Sequence, residues 1–458
     1  MKAIICGAGQ VGSNISRVLA QENVDVTVID QRPELIQKIN ESLEVQAMVG
    51  YASQPDVLEA AGAADADMLI AVTFSDEVNM VACQVAHSLF EVPTKIARVR
   101  ARSYLQPIWS DLFASSHLPI DAIISPEIEV AHAISRRLTV PGAFDLIPLA
   151  KNKLRLAGVR CAEDCPILDT PLRQLTSLFP DLSIVVVGIR RDDRPIVPTG
   201  DDQLLPGDDV YFVVDTEQLS RAMAAFGHEE PEARRIVIIG GGNIGLCLAE
   251  DIERGNAGVK ARVIERDKLR AEHVAQSCSR TIVLHGDALD PEILEEANVA
   301  NAETVVAVTN DDEVNILSSL LSKRSGARRA VTLINKLSYG PLMRPLGIDV
   351  AVNPRAITVS TILQHIRRGR IHSVHSLADD FGEIIEAEAL DTSSLVGVPL
   401  KEAKLPSGII VGAIVRDQTV HMARPDSTIQ VGDRVVIFAT KDAVKKVEKL
   451  FAVRLEFF

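Results

Sequence analysis

The chain has 458 residues, 47% of them apolar and 24% charged, with a formal net charge of −14 at pH 7. That length divides into roughly three to four domains of about 100–150 residues, and the acidic balance argues against nucleic acid and anionic lipid as general partners. No apolar run approaches the roughly 18 residues of a membrane-spanning helix, and the N-terminus reads as strand and glycine loop, not as a signal peptide. The expectation is a cytoplasmic protein, or one attached to a membrane through another protein.

The first element is an apolar strand, Ala3 to Cys6. It runs into Gly7-Ala8-Gly9-Gln10-Val11-Gly12, after which Ile15, Val18 and Leu19 recur at helical spacing. In this pattern Gly7 permits the tight turn, Gly9 lets a phosphate approach the backbone, and Gly12 lets the helix pack close to the strand. The free N–H groups and positive dipole end of the helix then face a pyrophosphate. A second strand, Val24 to Ile29, ends in Asp30. A carboxylate roughly 20 residues after the glycines is placed to hold a ribose diol.

Helix and strand keep alternating. Leu35, Ile36 and Ile39 suggest a helix, Val45–Val49 a strand, and Pro55 opens another helix. Met68–Val72 is a strand closed by Thr73, Asp76–Leu89 a helix and Thr94–Val99 a strand. Such alternation predicts a parallel, doubly wound sheet. A further helix is expected at Glu127–Leu138, ended by Pro141-Gly142. Residues 143–227 change character: strands at Phe144–Leu149, Leu154–Val159, Ile184–Arg190 and Val210–Val214, with short helices at Leu172–Leu175 and Glu217–Phe226, make a small α+β unit. The polar stretch Gly227–Arg234 reads as a linker.

Then the programme restarts. Ile236–Ile239 leads into Gly240-Gly241-Gly242-Asn243-Ile244-Gly245, and Arg262-Val-Ile-Glu265 matches Thr27-Val-Ile-Asp30. His285-Gly-Asp-Ala288 matches Val49-Gly-Tyr-Ala52. Ala307-Val-Thr309 and Asp312-Glu-Val-Asn315 match Ala71-Val-Thr73 and Asp76-Glu-Val-Asn79. Pro206-Gly-Asp-Asp-Val210 is echoed by Val431-Gly-Asp-Arg-Val435. The fold class expected is therefore α/β: a tandem duplication of a Rossmann-like, doubly wound parallel-sheet domain, each copy followed by a small α+β domain. The expected divisions are 1–123, 143–227, 232–348 and 368–453.

The duplicated glycine-loop domain with its small partner resembles the regulator-of-potassium-conductance (RCK) family over essentially the whole chain. The resemblance implies a cytoplasmic regulator at the inner-membrane face that binds NAD(H), or in some members ATP or ADP. It implies a homo-oligomeric ring, a tetramer, beneath a separate integral-membrane potassium channel or transporter subunit. It also implies that the helix near 127–138 crosses to a neighbouring lobe, and that the strand end at Thr73 and Phe74 touches the nucleotide.

Ligands of doubly wound sheets lie beyond the carboxyl ends of the strands, where Thr73 and Phe74 sit; a plain strand cap is the alternative. Asp30 argues against a 2′-phosphate and so favours NAD(H) over NADP(H), with other adenine nucleotides fitting equally. Arg98 and Arg100 alternate on a strand and share a face, either to neutralise phosphates or as a solvated basic edge. The second copy keeps Gly240, Gly242, Gly245, Glu265 and Thr309, but Leu333 and Asn335 replace the two arginines. The second site is thus expected to take a less charged ligand, to bind more weakly, or to be empty.

No GxxxxGK[ST] and no His/Lys/Asp constellation is present. No enzyme activity is expected, the alternative being an NAD-dependent oxidoreductase. His372 and His375 read as a solvated loop. Six scattered cysteines, with only Cys161 and Cys165 close together, predict reduced thiols and no zinc site. Short basic clusters occur at Arg98–Arg102, Lys323–Arg329 and Arg367–Arg370.

Overall fold

The structure, a computed structural model, describes residues 1–451 apart from 115, 180, 181, 193, 256, 257, 367–370 and 378–380. The basic cluster at 367–370 and the outer limits of the fourth expected domain, 368 and 453, lie outside the described residues.

The first sheet has six strands: β1 (Lys2–Cys6), β2 (Asp25–Asp30), β3 (Gln46–Val49), β4 (Met68–Ala71), β5 (Thr94–Arg98) and β6 (Ala122–Ile124). All pairs are parallel, in the order β3-β2-β1-β4-β5-β6. Between them run α1 (Gln10–Gln21), α2 (Pro33–Ser42), α3 (Pro55–Ala60) and α4 (Asp76–Phe90), and α5 (Pro126–Thr139) follows β6. Helices cover both faces, so the central strands are apolar without alternation: every residue of β4 is buried. Strand order reverses between β1 and β4, which opens a crevice beyond their carboxyl ends.

The first small sheet is antiparallel and runs β10-β9-β11-β8-β7, formed by β7 (Ala143–Leu149), β8 (Leu154–Arg160), β9 (Ile184–Arg191), β10 (Arg194–Ile196) and β11 (Asp209–Asp215). It carries α6 (Leu175–Leu178) and α7 (Leu219–Ala225). The second parallel sheet repeats the first order: β12 (Arg235–Ile239), β13 (Lys260–Glu265), β14 (Ile282–His285), β15 (Thr304–Ala307), β16 (Arg329–Leu333) and β17 (Val350–Val352) run β14-β13-β12-β15-β16-β17. Its helices are α8 (Asn243–Gly255), α9 (Lys268–Ser277), α10 (Pro291–Glu296), α11 (Asp312–Arg324), α12 (Gly340–Met343) and α13 (Pro354–Ile366). The last sheet, β18-β19-β22-β20-β21, comprises β18 (Ile371–Ser376), β19 (Glu383–Glu388), β20 (Ile409–Arg416), β21 (Thr419–Met422) and β22 (Arg434–Ala439), with α14 (Val444–Leu450) after it.

Two details differ from expectation. The sixth strands, β6 and β17, run past the expected limits of 123 and 348, because strands of three residues are too short to show a period. His372 and His375 lie on β18 rather than in a loop; His372 Nε2 is 3.4 Å from Glu388 on β19, and burial lowers the His375 pKa.

The chain groups into two compact units, one of residues 1–129 with 354–365 and the other of 130–353 with 366–458. In the first, α13 lays Val359, Ile362 and Leu363 against Ile15, Val18 and Leu19 of α1. From Val130 onward α5 belongs to the second unit. In that unit the two small sheets share one core: Leu154, Val187 and Tyr211 pack with Phe381, Ile384 and Phe438. The Tyr211 and Phe381 rings stack at 5.2 Å, and a Cβ on Gly188 would stand 2.3 Å from the Phe381 ring. The repeated Gly-Asp turns are pinned alike. Asp208 accepts two bonds from Arg191 and Asp433 two from Arg416, both carboxylates being buried.

Candidate nucleotide site

The first cradle is built from the end of β1, the glycine loop and the start of α1. Gly7 has φ +110°, and an added Cβ there would press on Thr73 N and Val72 O at 3.0 Å. A Cβ on Gly12 would stand 1.8 Å from Gly7 O, so only glycine lets α1 pack on the loop. Gly9 differs: its φ is −67° and nothing lies within 4 Å of its would-be Cβ. The loop is therefore tight at both ends and open at its middle, where a pyrophosphate would approach the amides. No side chain caps α1 and no acidic residue lies in its first turn, so its positive end is left to a ligand.

Asp30, at the tip of β2, accepts from Ala8 N at 2.7 Å through Oδ2 and from Arg32 N at 2.9 Å through Oδ1. Each carboxylate oxygen has a second lone pair for a ribose hydroxyl. The first bond locks the acid to the loop, which sets the distance between sugar site and phosphate site. Arg32 Nε stands 3.6 Å from Asp30, so the Asp30 charge is partly balanced on the ribose side.

Across the crevice, Asn79 holds the strand ends. Its Oδ1 accepts from Thr73 N at 2.8 Å and Thr73 Oγ1 at 2.7 Å, and its Nδ2 donates to Arg98 O at 2.9 Å. Asp76 accepts from Arg100 N and Ala101 N at 2.9 and 2.7 Å. Phe74 is 82% exposed, and the Arg100 guanidinium lies 4.2 Å above its ring and donates to its carbonyl. Arg98 pairs with Glu127 at 2.8 Å. β5 ends at Arg98, so Arg100 stands beyond the strand and the two do not form a free basic edge. The Nε atoms of both are buried without a hydrogen-bond partner, and so is Glu127 Oε2. Arg100 Nε also stands 3.7 Å from Asp76 Oδ1, and it is the open glycine and the tied acid that fit a nucleoside diphosphate.

The second cradle repeats this skeleton. Gly240 has φ +102°, a Cβ on Gly245 would meet Gly240 O at 1.9 Å, and Gly242 is open. Glu265 accepts from Gly241 N at 2.7 Å. Ile244 follows Asn243 in the first turn of α8. Asn315 holds Thr309 N and Oγ1 at 2.8 and 2.7 Å and reaches Leu333 O at 3.0 Å. Asp312 accepts from Asn335 N and Lys336 N at 2.9 and 2.8 Å. Leu333 and Asn335 thus stand where the first copy has Arg98 and Arg100.

A guanidinium reaches the second loop from another element. Arg270, on α9, donates through Nε to Gly241 O at 2.6 Å and through Nη2 to Asn243 Oδ1 at 3.2 Å. Its counterpart in the first copy is Leu35. A guanidinium beside the positive end of α8 is unfavourable by itself and favourable with an anion between them. Sequence reasoning missed Arg270, which belongs to no motif. It also gave no role to Asn79, Asn315, Asp76 and Asp312, although the repeated Asp-Glu-Val-Asn was the signal for them.

The class of protein this defines is a tandem nucleotide-fold chain with two cradles of different charge layout. The chain belongs to the TrkA family: the TrkA-N domain matches residues 3–126 and 236–354, and the TrkA-C domain 156–227 and 384–452. It is 52% identical over 458 residues to the Trk system potassium uptake protein TrkA of Azorhizobium caulinodans, covering 100% of both chains. It is 41% identical over 462 residues to that of Halomonas elongata, again covering 100% of both. Among solved structures it resembles the GsuK RCK domain, with TM-score 0.63, 19% identity and coverage of 99% of this chain and 95% of that one. It also resembles the GsuK channel bound to NAD, with TM-score 0.61, 19% identity and coverage of 99% and 79%.

Proposed function

We propose that this chain is the peripheral regulatory subunit of a potassium uptake system, at the cytoplasmic face of the inner membrane. It binds NAD(H), with ATP or ADP as the other ligands of the same cradles, and gates an integral-membrane potassium subunit of the TrkH/TrkG kind. It works in a homo-oligomeric ring, a tetramer. No helix among the described residues is long and apolar enough to cross a membrane. Gly7 to Gly12, Asp30, Thr73, Phe74, Arg98 and Arg100 form the first nucleotide site, and Gly240 to Gly245, Glu265, Thr309 and Arg270 the second.

One observation carries this reading: each cradle has an open central glycine with its acid tied to the neighbouring amide. The nucleotide acts as a ligand. A ligand shifts a conformational equilibrium only by its differential affinity for the two states. A tenfold preference corresponds to about 1.4 kcal/mol per site. Two nucleotides that span the crevice differently, one reaching Arg98 and Arg100 and one not, supply that difference. A ring adds it over its copies.

The test is titration of NAD⁺, NADH, ATP, ADP and NADPH against the full chain and its Asp30→Ala variant, with NADH absorbance followed beside candidate carbonyl substrates. Saturable binding to two sites, one of them lost in Asp30→Ala, with NADH unconsumed, is the expected result. Steady oxidation of NADH would instead support an oxidoreductase.

A further inference from the structure

The second unit carries a side-chain cluster that the nucleotide cradles do not use. His132 stands on α5, and Cys247 and Asp251, four residues apart on α8, share one helix face. One ligand atom from each lies within 4.8 Å of the other two. His132 Nε2 is 3.3 Å from Asp251 Oδ2. That exceeds the roughly 2.7–2.9 Å of a charge-assisted hydrogen bond. It matches two ligands on one tetrahedral ion, since bonds of about 2.0–2.1 Å place nitrogen and oxygen roughly 3.3–3.4 Å apart.

We propose that His132, Cys247 and Asp251 form a site for a divalent transition metal of the zinc class. Imidazole, thiolate and carboxylate together suit a borderline-soft ion, whereas calcium and magnesium take oxygen ligands. Cys247 is a buried thiol outside any disulfide. Arg254 holds Asp251 Oδ1 and so aims Oδ2 toward His132. The His132 side chain is 43% exposed against 12% for Asp251, which gives the ion an entry path and a fourth position for water.

The internal repeat supplies a control. The offsets that carry Gly7 to Gly240 and Pro126 to Pro354 carry Asn14 to Cys247, Val18 to Asp251 and His132 to Ser360. In the first unit Val18 lies in an apolar seam with Ile15, Leu19 and Ile362. The shared fold therefore does not require ligands at this helix contact, and one copy alone has them. Because α8 begins at Asn243 in the second cradle, a metal here clamps the helix that presents amides to the nucleotide onto α5.

The test uses the full chain, stripped with chelator, without nucleotide, and titrated with Co²⁺ as a coloured stand-in for Zn²⁺. One Co²⁺ per chain is expected, with a thiolate-to-cobalt charge-transfer band that Zn²⁺ abolishes. Cys247→Ser should remove the band, and Asp251→Asn, nearly isosteric, should weaken uptake by about 10-fold or more. Asp251→Asn decides the matter even if the cysteine variant does not fold. Three results would each overturn the proposal: no stoichiometric uptake, a band unchanged in folded Cys247→Ser, or equal uptake by wild type and Asp251→Asn.

Discussion

Gly9 and Gly12 stand three residues apart in one loop and respond to a methyl group in opposite ways. At Gly9 a Cβ meets nothing within 4 Å, so Gly9→Ala is expected to fold with stability within about 0.5 kcal/mol of wild type. It should nevertheless lose nucleotide at the first cradle, because the methyl occupies the space where the phosphate approaches. At Gly12 the methyl meets Gly7 O at 1.8 Å, and Gly12→Ala is expected to lose about 1–3 kcal/mol through overpacking. Thermal denaturation with and without NADH separates the two. In the second cradle, Arg270→Leu restores the residue type of the first copy. Titration should show about tenfold weaker ATP binding at the second site, less salt dependence there, and an unchanged first site. The glycines and acids were legible in sequence because each fills a fixed slot of a short local pattern. Arg270 was not, because its role depends on a guanidinium folding back over the loop from the next helix.

At the scale of elements, most strands and helices were legible because β1, β4, β12 and β15 are continuous apolar runs flanked by helices with apolar faces. β6, β10 and β17, of three residues each, carry too little pattern to read. Long-range ties between elements leave no pattern at all. Glu253 near the end of α8 is an instance. Its carboxylate accepts from Ser279 N, Arg280 N, Thr281 N and Thr281 Oγ1, and so fixes the turn that leads into β14. Burial pushes its pKa up, but these bonds outweigh burial and hold it at about 2, against the ordinary 4.5. A depressed folded value means the stabilisation is present above the unfolded pKa and is lost as pH falls from about 4.5 towards 2. Glu253→Gln is therefore expected to lower the denaturation midpoint at pH 7 and to flatten its acid limb over that window.

At the scale of the whole molecule, the duplication was legible and the way its parts combine was not. The repeats suggest two independent halves, but the small sheets share a core and α13 belongs with α1. Cutting the chain between residues 227 and 232 strips Tyr211 of Phe381 and Ile15 of Ile362. Neither fragment is expected to behave as a folded monomer, and co-expression should restore a one-to-one complex on gel filtration. Each cradle is complete within its own unit, and the regulatory account rests on both.

The most direct measurement of that account is potassium flux through the reconstituted membrane subunit with this chain bound, on addition of NAD⁺, NADH, ATP or ADP. The account predicts that flux changes with the nucleotide present and that the change disappears in the Gly9→Ala, Gly242→Ala double variant, which blocks both open glycines, while the complex stays assembled. Flux that responds identically in wild type and this double variant, or does not respond to any nucleotide, would contradict it.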